Sequence, residues 1–284
     1  MIEPFNNASK NAPKNDYSIE KFNDNQLVKA IDCLAEEVPV ALVFNGVSHA
    51  VMLATPQDLE DFALGFSLTE GILQHKSELY DIEIVPQENG IELQLNIATE
   101  RFEKLKERRR NMAGRTGCGL CGAENLSQVM RLPQAAANMI KQPLQTLNAQ
   151  SVQNALTNIE AQQALQQATG ATHACAWADA EGNISLVRED VGRHNAMDKL
   201  IGALAKNPPN SAGFVLTTSR ASYEMVQKVM SVGINTLAAI SAPTGLAVRI
   251  AEENNITLLG FVRQHQHVVY AHPERIQHNK KNNS

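Results

Sequence analysis

The sequence predicts an α/β fold (α+β overall), with a layered C-terminal α/β domain beside a smaller N-terminal α+β domain. In the C-terminal half, short apolar strands alternate with helical patterns of roughly 10–15 residues, which is typical of βαβ units and a largely parallel sheet. In the N-terminal half, apolar residues alternate with period two around Asn-Gly pairs. A glycine-framed pair of cysteines separates the two halves.

Composition limits the possible classes of function. The chain has 284 residues, 43% of them hydrophobic, which is enough for one large core or two ordinary ones. Its net charge of -5 argues against nucleic acid as a partner, and we find no apolar run long enough to span a bilayer. The polar N-terminus lacks a signal-peptide core, which predicts a cytoplasmic protein.

The predicted parts of the chain are disordered tails at 1–16 and 277–284, an N-terminal domain at 17–134 and a C-terminal domain at 135–276.

Asn-Gly pairs predict two hairpins in the N-terminal domain, because both residues accept a positive φ. Thr55 is predicted to cap a helix that starts at Pro56 and buries Phe62. Residues 27–34 are predicted to form one side of a helix, with Cys33 as a small buried residue. The two Asn-Gly pairs and their strands are Asn45-Gly46 with 38–44 and 47–54, and Asn89-Gly90 with 82–84 and 91–95.

The C-terminal half alternates strands and helices along its length. In open α/β sheets, ligands bind outside the carboxyl ends of the strands, so that edge is the expected site. Helices are also predicted before this half, at 125–132 and within 135–167. The predicted strands are 172–178 and 184–188 (a hairpin turning at Glu181-Gly182), 213–217, 234–240, 256–262 and 268–270, and the helices are 192–205, 222–232 and 244–253.

Cys118 and Cys121 are spaced as in metal and redox sites, and three glycines surround them. A zinc site needs three or four protein ligands, and the nearest further candidates are His173 and Cys175, about fifty residues on. A thioredoxin-like dithiol opens a helix after a strand, but no strand is predicted before Cys118. The glycines predict a mobile loop that could carry a group between two places. Cys175, in an apolar strand, is expected to be buried and structural.

Polar residues follow three strands of the predicted sheet and would lie at one edge. Hydroxyls, arginines and free helix N–H groups suit a phosphate-bearing ligand. The alternative is helix capping together with an ion pair such as Glu189–Arg193. His194 is either a general base or a junction residue. The polar residues are Arg193 and His194 after the first strand, Thr218, Ser219 and Arg220 after the second, and 241–245 after the third.

Several long motifs, in order, resemble those of the formate dehydrogenase accessory sulfurtransferase family, FdhD. The resemblance runs from about residue 38 to residue 276 and is specific, because it does not depend on the cysteine pair alone. The motifs are Thr116-Gly-Cys-Gly-Leu-Cys-Gly122, Arg188-Glu-Asp-Val-Gly-Arg-His-Asn-Ala-Met-Asp-Lys199 and Thr218-Ser-Arg-Ala-Ser-Tyr-Glu-Met-Val-Gln-Lys228, with shorter blocks at 61–66 and 241–244.

The resemblance implies a sulfur carrier that takes persulfide sulfur from a cysteine desulfurase. It implies transfer of that sulfur to the molybdenum bis(molybdopterin guanine dinucleotide) cofactor of formate dehydrogenase. Cys118 falls on the family's persulfide cysteine and Cys121 on its second cysteine. The resemblance also implies a homodimer and a C-terminal domain similar to cytidine deaminases. The family's nucleotide-binding segment falls on Phe261, Val262, Arg263, Gln264, His265 and Gln266, although 264–266 lack the small, Gly-bearing residues of the family.

Zinc deaminase chemistry is not expected, even if the deaminase fold is kept. Its signature needs a His/Cys-x-Glu pair and Pro-Cys-x-x-Cys. Here Gly117 precedes Cys118, and His173-Ala174-Cys175 lacks the glutamate. No metal ligands and no permanently bound cofactor are predicted. A zinc-stabilised nucleotide-binding module and a dithiol reductase remain the alternatives to a sulfur carrier.

Overall fold

The computed structural model describes residues 11–110, 144 and 146–278. The helix predicted at 125–132 and the cysteine loop lie outside these residues. The strands are β1 (Lys14–Asn23), β2 (Gln26–Ala35), β3 (Val38–Phe44), β4 (Val47–Ala54), β5 (Leu79–Gln87), β6 (Gly90–Ile97), β7 (Leu147–Asn148), β8 (His173–Asp179), β9 (Ile184–Asp190), β10 (Gly213–Thr217), β11 (Thr236–Ala239), β12 (Thr257–Arg263), β13 (Gln266–Ala271) and β14 (Ile276–Gln277). The α-helices are α1 (Leu59–Thr69), α2 (Thr99–Arg110), α3 (Ala149–Glu160), α4 (Ala164–Thr169), α5 (Arg193–Lys206), α6 (Tyr223–Ser231) and α7 (Gly245–Glu253).

The two predicted Asn-Gly hairpins are confirmed, and they join into one sheet of order β4-β3-β6-β5. Asn45 and Gly46 have φ of 45° and 81°, the left-handed geometry that tight hairpin turns require. The β3 and β6 strands are parallel, and the other neighbours are antiparallel. The inner face of this sheet is apolar and carries Leu42, Phe44 and Leu93, all fully buried.

The C-terminal sheet has six strands in the order β13-β12-β11-β10-β8-β9. The α/β class is confirmed, but the prediction of a largely parallel sheet is wrong. Only β10, β11 and β12 are parallel neighbours, whereas β8, β9 and β13 join antiparallel. The reason is connection length, because the short turns after β8 and β12 can join only antiparallel strands. The central strands β8, β10, β11 and β12 are buried on both faces between α5–α7 and α3, whereas the edge strands β9 and β13 are partly exposed.

The helix predicted at 27–34 is wrong, because these residues form part of β2. It pairs with β1 along ten residues, so residues 14–16, predicted to belong to a tail, are strand residues. The turn signal that we missed is Asp24-Asn25, whose φ values are 46° and 62°. Cys33 is half-buried on this ribbon rather than buried in a helix. At the other end, Gln277 belongs to β14 and not to a tail.

The predicted capping role of Thr55 is also wrong. Helix α1 begins at Leu59, after Asp58 in a left-handed conformation (φ 52°). Thr55 instead contacts the C-terminal half. Its N–H donates to Asp190 Oδ2 at 3.0 Å, and its carbonyl accepts from Lys199 Nζ at 3.0 Å. These tertiary contacts, rather than a local cap, fix the turn before α1.

Helices α1 and α5 cross at two glycines and thereby join the two halves of the chain. A Cβ atom on Gly65 would lie 1.7 Å from the carbonyl oxygen of Asp198, and one on Gly202 would lie 1.9 Å from that of Asp61. Only glycine permits so close an approach of two backbones. The resulting core is continuous and contains Phe62 from α1 and Leu200 from α5.

Candidate functional site at the sheet edge

The carboxyl ends of β9, β10, β11 and β12 share one edge of the C-terminal sheet. Backbone hydrogen bonds run along this edge: Thr218 N–H donates to the carbonyl of Ala174 in β8 at 3.0 Å, Ile240 N–H to that of Thr217 at 3.0 Å, and Phe261 N–H to that of Ser241 at 3.2 Å. The strand directions confirm the prediction that three polar loops lie at one edge of the sheet. The first residues of β8 lie at the same edge, since β8 runs opposite to β10.

A fully buried ion pair fixes the start of α5, where Arg193 and His194 lie. Lys199 Nζ is 2.7 Å from Asp190 Oδ2, and both side chains are 0% exposed. The other carboxylate oxygen accepts from Gly192 N–H at 2.8 Å and from Asn195 Nδ2 at 3.0 Å. These buried contacts of Asp190 therefore fix the loop between β9 and α5 without any bound ligand.

Two arginines, a histidine and one carboxylate form the basic cluster, which we define as Arg193, His194, Arg220 and Glu224. His194 Nε2 lies 2.7 Å from Glu224 Oε2, and Arg193 Nη2 lies 4.0 Å from the same oxygen. Contact with His194 lowers the pKa of Glu224, although partial burial opposes this, and the carboxylate is ionised at neutral pH. Arg220 is exposed. The carboxylate of Glu224 therefore faces one guanidinium group and an imidazole, and Arg220 lies close enough to Arg193 for their charges to repel.

Arg193 has unused binding capacity. Its Nε atom is buried and donates no hydrogen bond to any residue in the described part of the chain. Burial, and then repulsion from Arg220, lower the pKa of Arg193, though arginine stays charged in proteins. Two like charges held together with a spare donor favour an anion, and phosphate fits the fork geometry of arginine.

The alternative ion pair Glu189–Arg193 does not occur. Glu189 accepts hydrogen bonds from the N–H groups of Leu165 and Gln166, at 2.9 and 2.8 Å. The Glu189 carboxylate therefore fixes the start of α4 and does not pair with Arg193, which instead lies near Glu224 in the basic cluster.

The hydroxyl groups after β10 act on the protein itself. Thr218 Oγ1 accepts from Ala174 N–H at 2.9 Å, and no residue in the described ranges accepts its own hydrogen. Ser219 is buried, and its hydroxyl bonds the carbonyl of Arg220 at 3.0 Å. Ser219 therefore orients the Arg220 backbone and is not itself available to a ligand.

The segment from Phe261 to Gln266 lies at the carboxyl end of β12, as the prediction has it. Val262 is fully buried in the core, so its side chain cannot contact a ligand. Phe261 has a positive φ of 49°, and the guanidinium of Arg263 lies 5.5 Å from its ring centre. His265 N–H is held by Gln153 Oε1 at 2.9 Å. Arg263 and Gln264 are exposed and could meet a ligand.

Of the four cysteines, the predicted catalytic pair Cys118 and Cys121 lie outside the described residues, and their placement stays a prediction. Cys175 is buried as predicted, and burial raises the pKa of its thiol to about 12. It is therefore an inert structural thiol. Within the described ranges, His, Cys, Asp and Glu side chains do not gather in groups of three or more that could hold a metal ion.

Sequence reasoning missed three polar residues that shape this region. Glu224 lies in one of the family motifs and no role is predicted for it, although it lies in the first turn of α6, shortly after the Thr218–Arg220 loop. Asp198 and Lys228 form a second buried pair at 2.9 Å, which links α5 to α6. The sequence signal for this buried pair is indirect: a lysine and an aspartate occur on otherwise apolar helix faces, and buried charges are usually paired.

No helix in the part of the chain that the structure describes is long and apolar enough to cross a membrane.

Comparison with known proteins assigns the chain to a class. The model of the FdhD/NarQ family matches residues 35–277, so the chain belongs to the FdhD/NarQ family. Among its relatives, a protein of Cupriavidus necator named sulfur carrier protein FdhD is 59% identical over 263 residues, covering 92% of this chain and 90% of the relative. The protein of the same name from Bordetella petrii is 56% identical over 247 residues, covering 86% and 87%.

A solved structure supports the fold. The crystal structure of a protein assigned as a formate dehydrogenase accessory protein, from Desulfotalea psychrophila, superposes with a TM-score of 0.70. The alignment covers 93% of this chain and 99% of the other, at 20% sequence identity. At that identity the likeness concerns the fold alone.

Proposed function

We propose that this protein is a sulfur carrier that loads sulfur on Cys118 and delivers it to the molybdenum bis(molybdopterin guanine dinucleotide) of formate dehydrogenase. The observation that carries the proposal is the basic cluster, whose arginines exceed their carboxylate partners at the edge where phosphates would bind. The relatives named sulfur carrier protein FdhD support the sulfur chemistry. The phosphates of the nucleotide arms would lie on Arg193 and Arg220, with Arg263 as a further contact.

The loading step is a thiol exchange. The Cys118 thiolate attacks the outer sulfur of a persulfide on a cysteine desulfurase, and the donor's S–S bond breaks. The donor cysteine leaves as a thiolate, and Cys118 then carries the sulfane sulfur as its own persulfide. No external oxidant or reductant is needed, because one S–S bond replaces another.

The delivery step uses the second cysteine. The Cys121 thiolate attacks Cys118 Sγ, a Cys118–Cys121 disulfide forms, and the outer sulfur leaves as hydrosulfide. The two thiols supply the two electrons that reduce sulfane sulfur to sulfide. The hydrosulfide would then bind the molybdenum ion of the substrate cofactor, the ligand that it displaces leaving to solvent, and a cellular dithiol reductant must reopen the disulfide. We expect the carrier to work in the cytoplasm, where thiols are kept reduced, and as a homodimer.

Mass spectrometry after incubation with desulfurase and cysteine tests the loading step. One added sulfur is expected on Cys118 in the wild type and in the matched controls Cys33→Ala and Cys175→Ala. Cys118→Ala should carry none and should leave formate dehydrogenase inactive. In Cys121→Ser the persulfide should form and accumulate. Active dehydrogenase with Cys118→Ala would refute the proposal, and stoichiometric zinc lost on Cys121→Ser would point instead to a zinc-stabilised module.

A further inference from the structure

The ribbon of β1 and β2 is anchored to the rest of the protein at one end. Its two strands pair along ten residues, which makes it roughly 30 Å long at about 3.4 Å per residue. At the anchored end, Glu36 N–H donates to the carbonyl of Pro13 at 2.9 Å, and Glu36 Oε1 accepts from the Tyr17 hydroxyl at 2.5 Å. Strand β2 also packs against α4. The other end of the ribbon is the turn at Asp24-Asn25.

One face of the ribbon lies against the protein. On β1, Asn15, Tyr17 and Ile19 are half-buried, whereas the residues between them are exposed. Because successive side chains of a strand point to opposite faces, this alternation separates an inner face from an outer one. Beyond Ile19 the alternation ends, and residues 20–29 are exposed on both faces. The half of the ribbon next to the turn therefore projects from the protein.

The outer face carries a set of residues that we call the outer patch: Phe22, Leu27, Ile31, Glu20 and Lys29. Phe22 is directly opposite Leu27, and Glu20 is opposite Lys29. Ile31 follows Lys29 on the same face, and the three apolar side chains are 69%, 64% and 61% exposed, in the order named. A group of large apolar residues on one face of a projecting ribbon favours an interaction surface.

The ribbon lacks the support that the larger sheets have. A two-stranded ribbon alone is at best marginally stable in water, and among the described strands β1 and β2 pair only with each other. The N-terminal sheet also exposes apolar residues on its outside, Val51 at 53% and Leu53 at 54%. That sheet, however, has four strands and a buried inner face, so it needs no further layer. The ribbon therefore gains more stability from being covered than the sheet does.

Charge favours a second copy of the chain as the partner that covers the ribbon. The chain has a net charge of -5, so two copies repel each other unless they meet where charge is balanced. Residues 20–29 carry two lysines and two carboxylates. A balanced, apolar surface is typical of contacts between identical subunits, whereas an anionic membrane would need an excess of lysine.

We propose that the outer patches of two copies pack against each other across a twofold axis and so form the homodimer. A twofold contact is isologous, which means that the same residues serve on both sides. Phe22, Leu27 and Ile31 of each copy would be buried at its centre, and Glu20 of one copy would lie near Lys29 of the other. The inference rests on the proposed function for the homodimer itself and adds the surface that forms it.

Light scattering on size-exclusion fractions tests the contact. Wild-type protein should have twice the mass of the 31.0 kDa chain. Phe22→Ser/Ile31→Ser should raise the dissociation constant of the dimer at least about hundredfold, because a few buried anchors carry most of the affinity of an interface. The matched control Val51→Ser/Leu53→Ser, which changes comparably exposed apolar residues on β4, should stay dimeric. Unchanged dimerisation of the ribbon variant would overturn the inference.

An exchange of charge tests whether ribbon meets ribbon. Glu20→Lys makes residues 20–29 positive and Lys29→Glu makes them negative, while both variants keep the apolar residues of the outer patch. Each variant alone should dimerise at least about tenfold more weakly, because like charges then face each other. An equimolar mixture should form the mixed dimer, which native mass spectrometry detects. A mixture without preference for the mixed dimer would show that the ribbon packs elsewhere and would overturn the contact. This test also decides the matter if the serine variant unfolds the ribbon.

The outcomes separate the dimer surface from sulfur transfer. A dimer that survives both sets of variants uses another surface, so the inference fails while the proposed homodimer stands. A monomeric wild type that binds anionic phospholipid vesicles, and loses them in Phe22→Ser/Ile31→Ser, would place the ribbon on a membrane and overturn both. Sulfur loading on Cys118, measured by mass spectrometry on the same samples, tests the sulfur carrier independently of either result.

Discussion

Helix α5 contains two regions whose charges behave in opposite ways. In its middle, Asp198 and Lys199 are buried and paired, and Gly202 lies against the backbone of α1. At its first turn, Arg193 and His194 are about a quarter exposed and share a single carboxylate, Glu224. The buried charges in the middle of α5 are each paired with an opposite charge and stabilise the fold. The positive charges at its first turn exceed the negative ones and are available to a ligand. Mutations in the two regions should therefore affect different properties.

The largest effect is expected at the helix crossing. In Gly202→Ala the new methyl would lie 1.9 Å from the Asp61 carbonyl, so α1 and α5 must separate. Overpacking usually costs about 1–3 kcal/mol, and we expect more than about 4 kcal/mol here because backbone atoms must move. Urea unfolding measures this. Gly245→Ala, whose methyl would meet only Arg249 at 3.7 Å, is the control. Equal stability of the two variants would contradict the crossing.

The two buried lysines come next. Lys228→Met should cost about 3–5 kcal/mol, because it leaves Asp198 buried and unpaired. Lys199→Met should cost less, since Asp190 keeps hydrogen bonds from Thr55, Gly192 and Asn195. Among the described residues, Asp198 keeps only the hydrogen bond from Thr69 Oγ1, at 2.7 Å. If Lys199→Met lowers the free energy of unfolding more than Lys228→Met does, the number of hydrogen bonds that the remaining carboxylate keeps does not determine the loss of stability.

The exposed pair of Lys206 with Glu60 gives the matched surface control. It has an N···O distance of 3.1 Å with both side chains partly exposed. Glu60→Gln should therefore change stability by less than about 1 kcal/mol. A loss as large as that of Lys228→Met would mean that burial does not separate the two kinds of pair.

At the first turn of α5, the expected effect moves from stability to binding. Arg193→Ala should leave the free energy of unfolding within about 1 kcal/mol of the wild type, because its ion-pair partner among the described residues, Glu224, is 4.0 Å away. It should weaken pyrophosphate about tenfold or more, by loss of a charge-assisted hydrogen bond. Calorimetry and urea unfolding on the same sample separate the two effects. A variant that is unstable but binds normally would reverse our assignment.

The smallest effect concerns pH. Burial, with Arg193 nearby, lowers the pKa of His173 in the folded state. Below pH about 6.5 the unfolded imidazole takes up a proton that the folded one resists. Stability is therefore lost as pH falls from about 6.5, until the folded pKa is reached. His173→Gln should remove this part of the slope between pH 7.5 and 5.5. An identical slope in the variant would contradict the shifted pKa.

Much of the fold could be predicted because its signals are local. Asn-Gly turns and period-two strands gave both N-terminal hairpins, and the strand–helix alternation gave the C-terminal elements to within a few residues. Errors arose where long-range contacts decide. Thr55 looks like a helix cap, yet its backbone serves Asp190 and Lys199, more than 130 residues away. The β1–β2 ribbon was missed because residues 27–34 are apolar enough to resemble one side of a helix.

The site was predictable in place but not in detail. The placement of Arg193 and Arg220 at one sheet edge follows from the βα pattern, but neither the strand order nor the pairing of Glu224 with His194 does. Val262 and Ser219 belong to motif segments, yet both are buried and support the backbone instead of facing a ligand.

The central claim is that sulfur loaded on Cys118 reaches a cofactor held at the sheet edge, and one double variant tests it directly. Arg193→Ala/Arg220→Ala should still acquire the Cys118 persulfide from the desulfurase, because the sheet edge plays no part in loading. Formate dehydrogenase matured with this variant should be inactive, because the cofactor phosphates lose both guanidinium groups. Fully active dehydrogenase, with normal persulfide on Cys118, would contradict the account.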